Sequence, residues 1–183
     1  MRKSTECNVG AARPQPDQRT ANGRPHVRPL SLAPRLLAVA SFVRPSDRVL
    51  DIGADHARLP VYLTERGLCA SVAASDCAEG PLARAARTVR AHRLEDRIPL
   101  LLRDGGEGLS PDEFDTVTIT GMGGDTILSI IAQSPWLLTK RLILQPQTRV
   151  KTFTELLGRT PARQVTVLEG RRQYTIFLFE GEP

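Results

Sequence analysis

The sequence predicts an α/β protein whose core is a doubly wound, mostly parallel sheet closed by a C-terminal antiparallel strand pair. Three observations predict it. Short apolar runs bounded by turn residues alternate five times with stretches of helical spacing. Nearly every run ends in an acid or in glycines, which lines one edge of the sheet with polar groups, where open α/β folds hold ligands. The chain then finishes on two more apolar runs, 164–168 and 174–179, joined by Glu169-Gly170-Arg171-Arg172.

A chain of 183 residues, 40% hydrophobic and 25% charged, has the composition of a soluble globular protein and suffices for one core. The net charge of +5 is unevenly spread. Residues 1–29 hold six Arg or Lys against Glu6 and Asp17, which leaves +1 for the rest. No apolar run approaches the roughly 20 residues that span a bilayer, and no secretory signal opens the chain. Cys7, Cys69 and Cys77 show no C-x-x-C spacing and no nearby His pair. They read as reduced thiols in a cytoplasmic protein with no metal site.

Residues 1–29 contain Pro14, Pro16, Pro25 and Pro29 and few large apolar side chains, so a disordered basic leader is expected before a domain at 30–183. Ser31 is positioned to cap a helix over 31–43, with Leu32, Leu36, Leu37, Val39 and Ala40 as its apolar face and Pro45 as its stop. The first strand, near 48–50, runs into Asp51-Ile52-Gly53-Ala54-Asp55-His56-Ala57-Arg58-Leu59-Pro60 and a helix closing near Arg66-Gly67. A second strand at 69–74 ends in Ser75-Asp76. A helix at 81–92 follows, on which Arg84, Arg87, Arg90 and Arg93 form a solvated face or an RNA-facing surface; His92 is expected to face solvent or the helix dipole. Pro99 argues for an edge or strand-start position of a third strand, 97–102.

That strand closes on Asp104-Gly105-Gly106. A fourth, 114–120, ends in Gly121-Met122-Gly123-Gly124, where missing Cβ atoms let backbone come close to something. A helix at 125–133, a fifth strand at 141–144 ending in Gln145-Pro146-Gln147, and a helix at 152–157 complete the alternation.

The turn after the first strand carries the chemistry. A dinucleotide fingerprint would need glycines at 53, 55 and 58 to admit a pyrophosphate. The chain has Gly53, Asp55 and Arg58 there. A carboxylate at Asp55 repels pyrophosphate at short range and attracts a cation. With Asp51 beside it, the pocket suits a ligand bearing ammonium and sulfonium charges, such as S-adenosylmethionine; the plain alternative is a strand-turn-helix corner. Asp76, 23 residues beyond Gly53, falls where a carboxylate holds a ribose diol, or else serves as a strand-end turn residue. Asp104 is either an adenine-binding acid or an ordinary Asp-Gly turn.

Residues 51–60, then Ile119-Thr120-Gly121-Met122-Gly123-Gly124, then Leu142-Ile143-Leu144-Gln145-Pro146-Gln147 together resemble the TrmK (YqfN) family of bacterial tRNA (adenine-N1)-methyltransferases. The similarity covers roughly 32–180, in order and spacing. It implies a Rossmann-like class I methyltransferase fold, S-adenosylmethionine as cofactor, and adenine 22 of the tRNA D-arm as target. It also implies that Asp51, Gly53 and Asp55 line the methionine end of the cofactor, Asp76 its ribose, and Asp104-Gly105 its adenine. Gly121, Met122, Gly123, Gln145 and Pro146 then fall near the target base. Arg58 stands where the family often has Tyr. The family's C-terminal helical domain, which helps grip tRNA, is expected to be missing.

For methyl transfer to a neutral ring nitrogen, the protein must chiefly align the reacting atoms. Asp55, and secondarily His56, are the candidates for stabilising the cationic base or moving a proton; His56 reads equally as a loop-ordering cap. Two other classes are open: a small-molecule methyltransferase, without the steep salt dependence of RNA binding, and an inactive RNA-binding remnant.

Overall fold

The computed structural model describes residues 27–182, so residues 1–26 of the expected leader lie outside the described residues. In chain order the elements are α1 (Pro34–Ala40), β1 (Arg48–Ile52), α2 (Arg58–Arg66), β2 (Ser71–Asp76), α3 (Glu79–Ala91), β3 (Leu100–Leu102), β4 (Thr116–Met122), α4 (Gly124–Gln133), β5 (Arg141–Pro146), α5 (Phe153–Leu157), β6 (Arg163–Glu169) and β7 (Arg172–Phe179). Two 3₁₀ turns, Pro111–Glu113 and Pro135–Thr139, precede β4 and β5.

One sheet of seven strands runs β3-β2-β1-β4-β5-β7-β6. The five leftmost strands pair in parallel, and β7 pairs antiparallel to both β5 and β6. The expected doubly wound sheet with a terminal antiparallel pair is therefore present. The strand order reverses between β1 and β4, so connections leave to opposite faces there and open a crevice at the carboxyl ends of those two strands.

Side-chain alternation distributes the strands between two apolar layers. Val49, Val72, Ile143, Ile176 and Leu178 pack on the face covered by α1, α2 and α3. Leu50, Ile52, Val117, Ile119, Leu142, Leu144 and Phe177 pack on the face of α4 and α5. Successive residues pointing to opposite faces, both apolar, mark strands buried on two sides. Each fully buried Leu or Ile contributes about 1.5–3 kcal/mol relative to exposure, and this anchors the strand ends that carry the polar loops.

The structure corrects three expectations. The first helix is shorter than 31–43: Pro34 begins it and Ala40 ends it, well before Pro45, and Ser31 caps nothing. Proline is favoured in a first turn because its φ is already helical and its missing N–H would have no partner. Leu37, expected in the core, is 42% exposed. Of its two expected settings His92 takes the helix end, as the C-cap of α3, and does not face solvent. Its Nδ1 lies 2.6 Å from Glu65 Oε1, with the two side chains 11% and 18% exposed, so it ties α3 to α2. β3 lies at the sheet edge and starts directly after Pro99, so both positions that Pro99 suggested are observed. Among the described residues, no helix is long and apolar enough to cross a membrane.

Candidate active site

The loop after β1 is a tight left-handed turn. Gly53 has φ +72°, and Asp55 and Ala57 follow with φ +44° and +49°, uncommon for residues with a Cβ. The turn is held by the neighbouring strand: the N–H groups of Gly53 and Ala54 both donate to the Ser75 carbonyl, at 2.8 and 3.0 Å. Two features bear on Gly53. Its φ favours glycine, and a Cβ there would lie 1.9 Å from Met122 Cε.

Three acids of the sequence reading converge here, each with a different environment. Asp51 is 4% exposed and, in register with Thr118 of β4, accepts a 2.6 Å hydrogen bond from the Thr118 hydroxyl. Burial pushes its carboxyl up to about 7, with nearby Asp76 adding to the rise and the Thr118 hydrogen bond opposing it. No Arg, Lys or His pairs with it among the described residues. Asp76 is also buried. Its Oδ2 accepts from the Asp55 N–H at 3.3 Å and its Oδ1 from Ala78 N–H at 3.1 Å, so it fastens the β1 loop to the start of α3.

Asp55 differs from the expected free carboxylate. Its Oδ1 is paired with Arg84 of α3, 2.8 Å from Nε and 2.6 Å from Nη2, and its side chain is 49% exposed. Arg84 thus partly neutralises Asp55, whereas the buried Asp51 and Asp76 have no cationic partner among the described residues. Only Arg84 of the arginine series is engaged in this way. His56 is exposed, 3.7 Å from Asp55 Oδ2.

Across the crevice, β4 bulges at Thr120–Met122 against β5. Gly121 has φ +78°, and its N–H donates to Gln145 Oε1 at 3.1 Å. Gln145 was expected at the substrate. It is fully buried, and its amide nitrogen donates to the Pro146 carbonyl; the side chain braces the Gly121 backbone from behind, and Pro146 is buried beside it. Gly124 is needed for close approach, since a Cβ would lie 2.6 Å from the Thr148 carbonyl. Its N–H donates to Thr148 Oγ1 at 3.0 Å. Gly123 precedes α4 as its N-cap.

A cavity of about 240 Å³ joins these loops. It brings together Asp51, Gly53, Asp55, His56, Arg58, Gly121 and Met122 of the sequence reading. Arg58 also donates through Nη2 to the Ser31 carbonyl at 2.8 Å, holding the segment before α1 over the site. Asp76 sits behind the cavity wall. Asp104 and Gly105 lie beyond it, Asp104 exposed and Gly105 backed by Ile130. Arg35, Leu36, Thr120 and Gln147 also line the cavity. The reading missed Arg35 and Leu36, which α1 delivers from a distant stretch; Thr120 and Gln147 lie within motifs it quoted but were not selected as site residues. Among the described residues no cluster of His, Cys, Asp or Glu could hold a metal ion.

Comparison with known proteins finds the Methyltransferase domain family matching residues 32–177. The tRNA (adenine(22)-N(1))-methyltransferase of Bacillus subtilis (strain 168) is 35% identical over 130 residues, 70% of this chain and 55% of its own length. The chain thus spans about half the length of that curated relative. The crystal structure of the B. subtilis m1A22 tRNA methyltransferase TrmK superposes with a TM-score of 0.78 at 32% identity, over 84% of this chain and 68% of that one. Sp1610 of Streptococcus pneumoniae, solved in complex with S-adenosyl-L-methionine, superposes with a TM-score of 0.75 at 33% identity, over 84% and 75% of the two chains.

Proposed function

The chain belongs to the TrmK family of methyltransferase-domain proteins, and we propose that it methylates N1 of an adenine in tRNA, adenine 22 of the D-arm, using S-adenosylmethionine in the cytoplasm. The observation that carries this reading is Asp51: a buried carboxylate at the end of β1 with no cationic partner among the described residues, beside a turn whose left-handed φ at Gly53 favours glycine. A buried unpaired acid costs the fold stability, and a cationic ligand would offset that cost. The donor set fits the cofactor. Asp51 faces the charged end, Gly53 lets the ligand pass close to backbone, and Asp76 and Asp104 terminate the next two strands where ribose and adenine would lie.

S-adenosylmethionine supplies a methyl carbon on cationic sulfur: the adenine N1 lone pair forms the new N–C bond, the C–S pair returns to sulfur, and the positive charge passes to the base. The chain's own part is positioning. Gln145 holds the Gly121 backbone, and Asp76 holds the Asp55 N–H; alignment of this kind is worth about 7–11 kcal/mol of barrier. Asp51 and Asp55 stabilise positive charge, and His56, exposed at the mouth, is placed to move a proton. N1 is hidden in paired bases, so the target nucleotide must leave its stack to reach this cavity.

Incubation with unmodified tRNA and methyl-labelled S-adenosylmethionine, followed by mapping of the labelled nucleotide, tests the reading. Label at N1 of one D-arm adenine is expected. Label on another base, or transfer only to a small molecule, overturns it.

A further inference from the structure

A second cavity, of about 300 Å³, opens where β5 ends and β7 begins, lined by Pro146, Gln147, Val150, Arg172, Gln173 and Tyr174. Two contacts join it to the first. Gln147 lines both cavities. Arg35, on the wall of the first, holds its guanidinium carbon 5.5 Å from the centroid of the Tyr174 ring on the wall of the second. Arg35 is fixed there by Glu169 at the end of β6, which accepts from its backbone N–H at 3.2 Å and pairs with its Nη1 at 2.5 Å. The two cavities therefore form one groove along the carboxyl edge of the sheet, partitioned by Gln147.

Their chemistry differs in the groups they offer. The first presents the carboxylates Asp51 and Asp55 together with Arg35 and Arg58. The second contains no carboxylate; it offers a guanidinium, an aromatic ring and two side-chain amides. Among the described residues, the polar ends of Gln147, Arg172, Gln173 and Tyr174 make no side-chain hydrogen bond or ion pair. A ring for a base to stack on, amides for a base edge and an arginine for phosphate are the groups with which proteins hold unstacked nucleotides. A cationic donor would be repelled by Arg172, whereas a phosphate-bearing group would be drawn to it.

We infer that the second cavity holds the nucleotide being methylated, its base against Tyr174, its reacting edge directed past Gln147 into the first cavity, and its phosphate near Arg172. This inference rests on the proposed function and adds residues that the motif resemblance did not touch. The test uses the full chain, unmodified tRNA and labelled S-adenosylmethionine, with cofactor affinity measured separately by calorimetry. Tyr174→Leu should lower kcat/KM for tRNA about 10-fold or more, and Tyr174→Phe should restore it to within about threefold, with cofactor affinity unchanged in both. Arg172→Ala, at an exposed position that leaves the fold intact, should reduce the slope of log tRNA affinity against log salt by about one.

Wild-type tRNA kinetics in Tyr174→Leu, or loss of cofactor affinity with the fold retained, would overturn the assignment. Should Tyr174→Leu not fold, an unchanged salt slope in Arg172→Ala overturns it instead. An active wild type with insensitive variants refutes the second cavity alone; a wild type that binds cofactor and methylates no RNA refutes the functional reading beneath it.

Discussion

Asp51→Asn should stabilise the protein above neutral pH while removing the site's attraction for a cation. The carboxyl titrates near 7 in the fold against an ordinary value of 3.8, chiefly because it is buried. The folded state therefore binds a proton more tightly than the unfolded state, so stability falls as pH rises from about 4 to 7 and stays low above that. By linkage the ionised carboxylate costs the fold less than about 1 kcal/mol at pH 4, about 2 at pH 5 and about 4 at pH 8. Asparagine retains the acceptor for the Thr118 hydroxyl and removes this cost, but its amide adds donors facing the cavity. A partly satisfied amide costs about 1–3 kcal/mol, which leaves a net gain of about 1–3 kcal/mol at pH 8 and a net loss at pH 4. Urea unfolding of both proteins from pH 4 to pH 8 measures the difference, provided the m-values agree. A variant less stable than wild type at pH 8, or a gap that does not change with pH, would refute the reasoning. Calorimetry on the same samples should show S-adenosylmethionine affinity lowered by at least tenfold.

Gly53→Ala should lose cofactor binding and about 1–2 kcal/mol of stability, since a left-handed alanine is disfavoured by that amount and the new Cβ drives Met122 Cε into the cavity; calorimetry and thermal unfolding check both. Asp76→Ala releases the N–H groups of Asp55 and Ala78, so methyl transfer should vanish while the far-ultraviolet circular dichroism keeps its folded form. His92→Ala should cost about 1–3 kcal/mol in urea unfolding without changing cofactor affinity, because it leaves a half-buried Glu65 oxygen without its partner.

The parts of this fold legible in the sequence are those set by short-range pattern. The βα alternation marked the parallel strands, Pro99 marked an edge or a strand start, and Asp51 with Gly53 marked the rim of the crevice, because a turn and a strand end are local facts. What escaped depends on which distant side chains meet. Asp55 reads as a free carboxylate until α3 brings Arg84 across 29 residues to it. Arg35 reads as one more basic residue of a short helix until the β6–β7 hairpin, 134 residues away, supplies Glu169 and Tyr174. Gln145 sits in a motif that points at substrate, yet strand alternation turns its side chain inward, and only the β4 bulge gives it a partner in Gly121. Helix length was misjudged for a related reason: Ser31 has the right chemistry for a cap, but its carbonyl is taken by Arg58 and the helix waits for Pro34.

The account depends on the methyl donor seating its charged end in the turn after β1. A crystal structure of the full chain with S-adenosylmethionine tests that claim most directly. The sulfonium and ammonium end should lie against the Gly53 backbone with Asp51 beside it and the ribose toward Asp76. A donor seated elsewhere on the sheet, or one reversed so that adenine occupies the Gly53 turn, would contradict it.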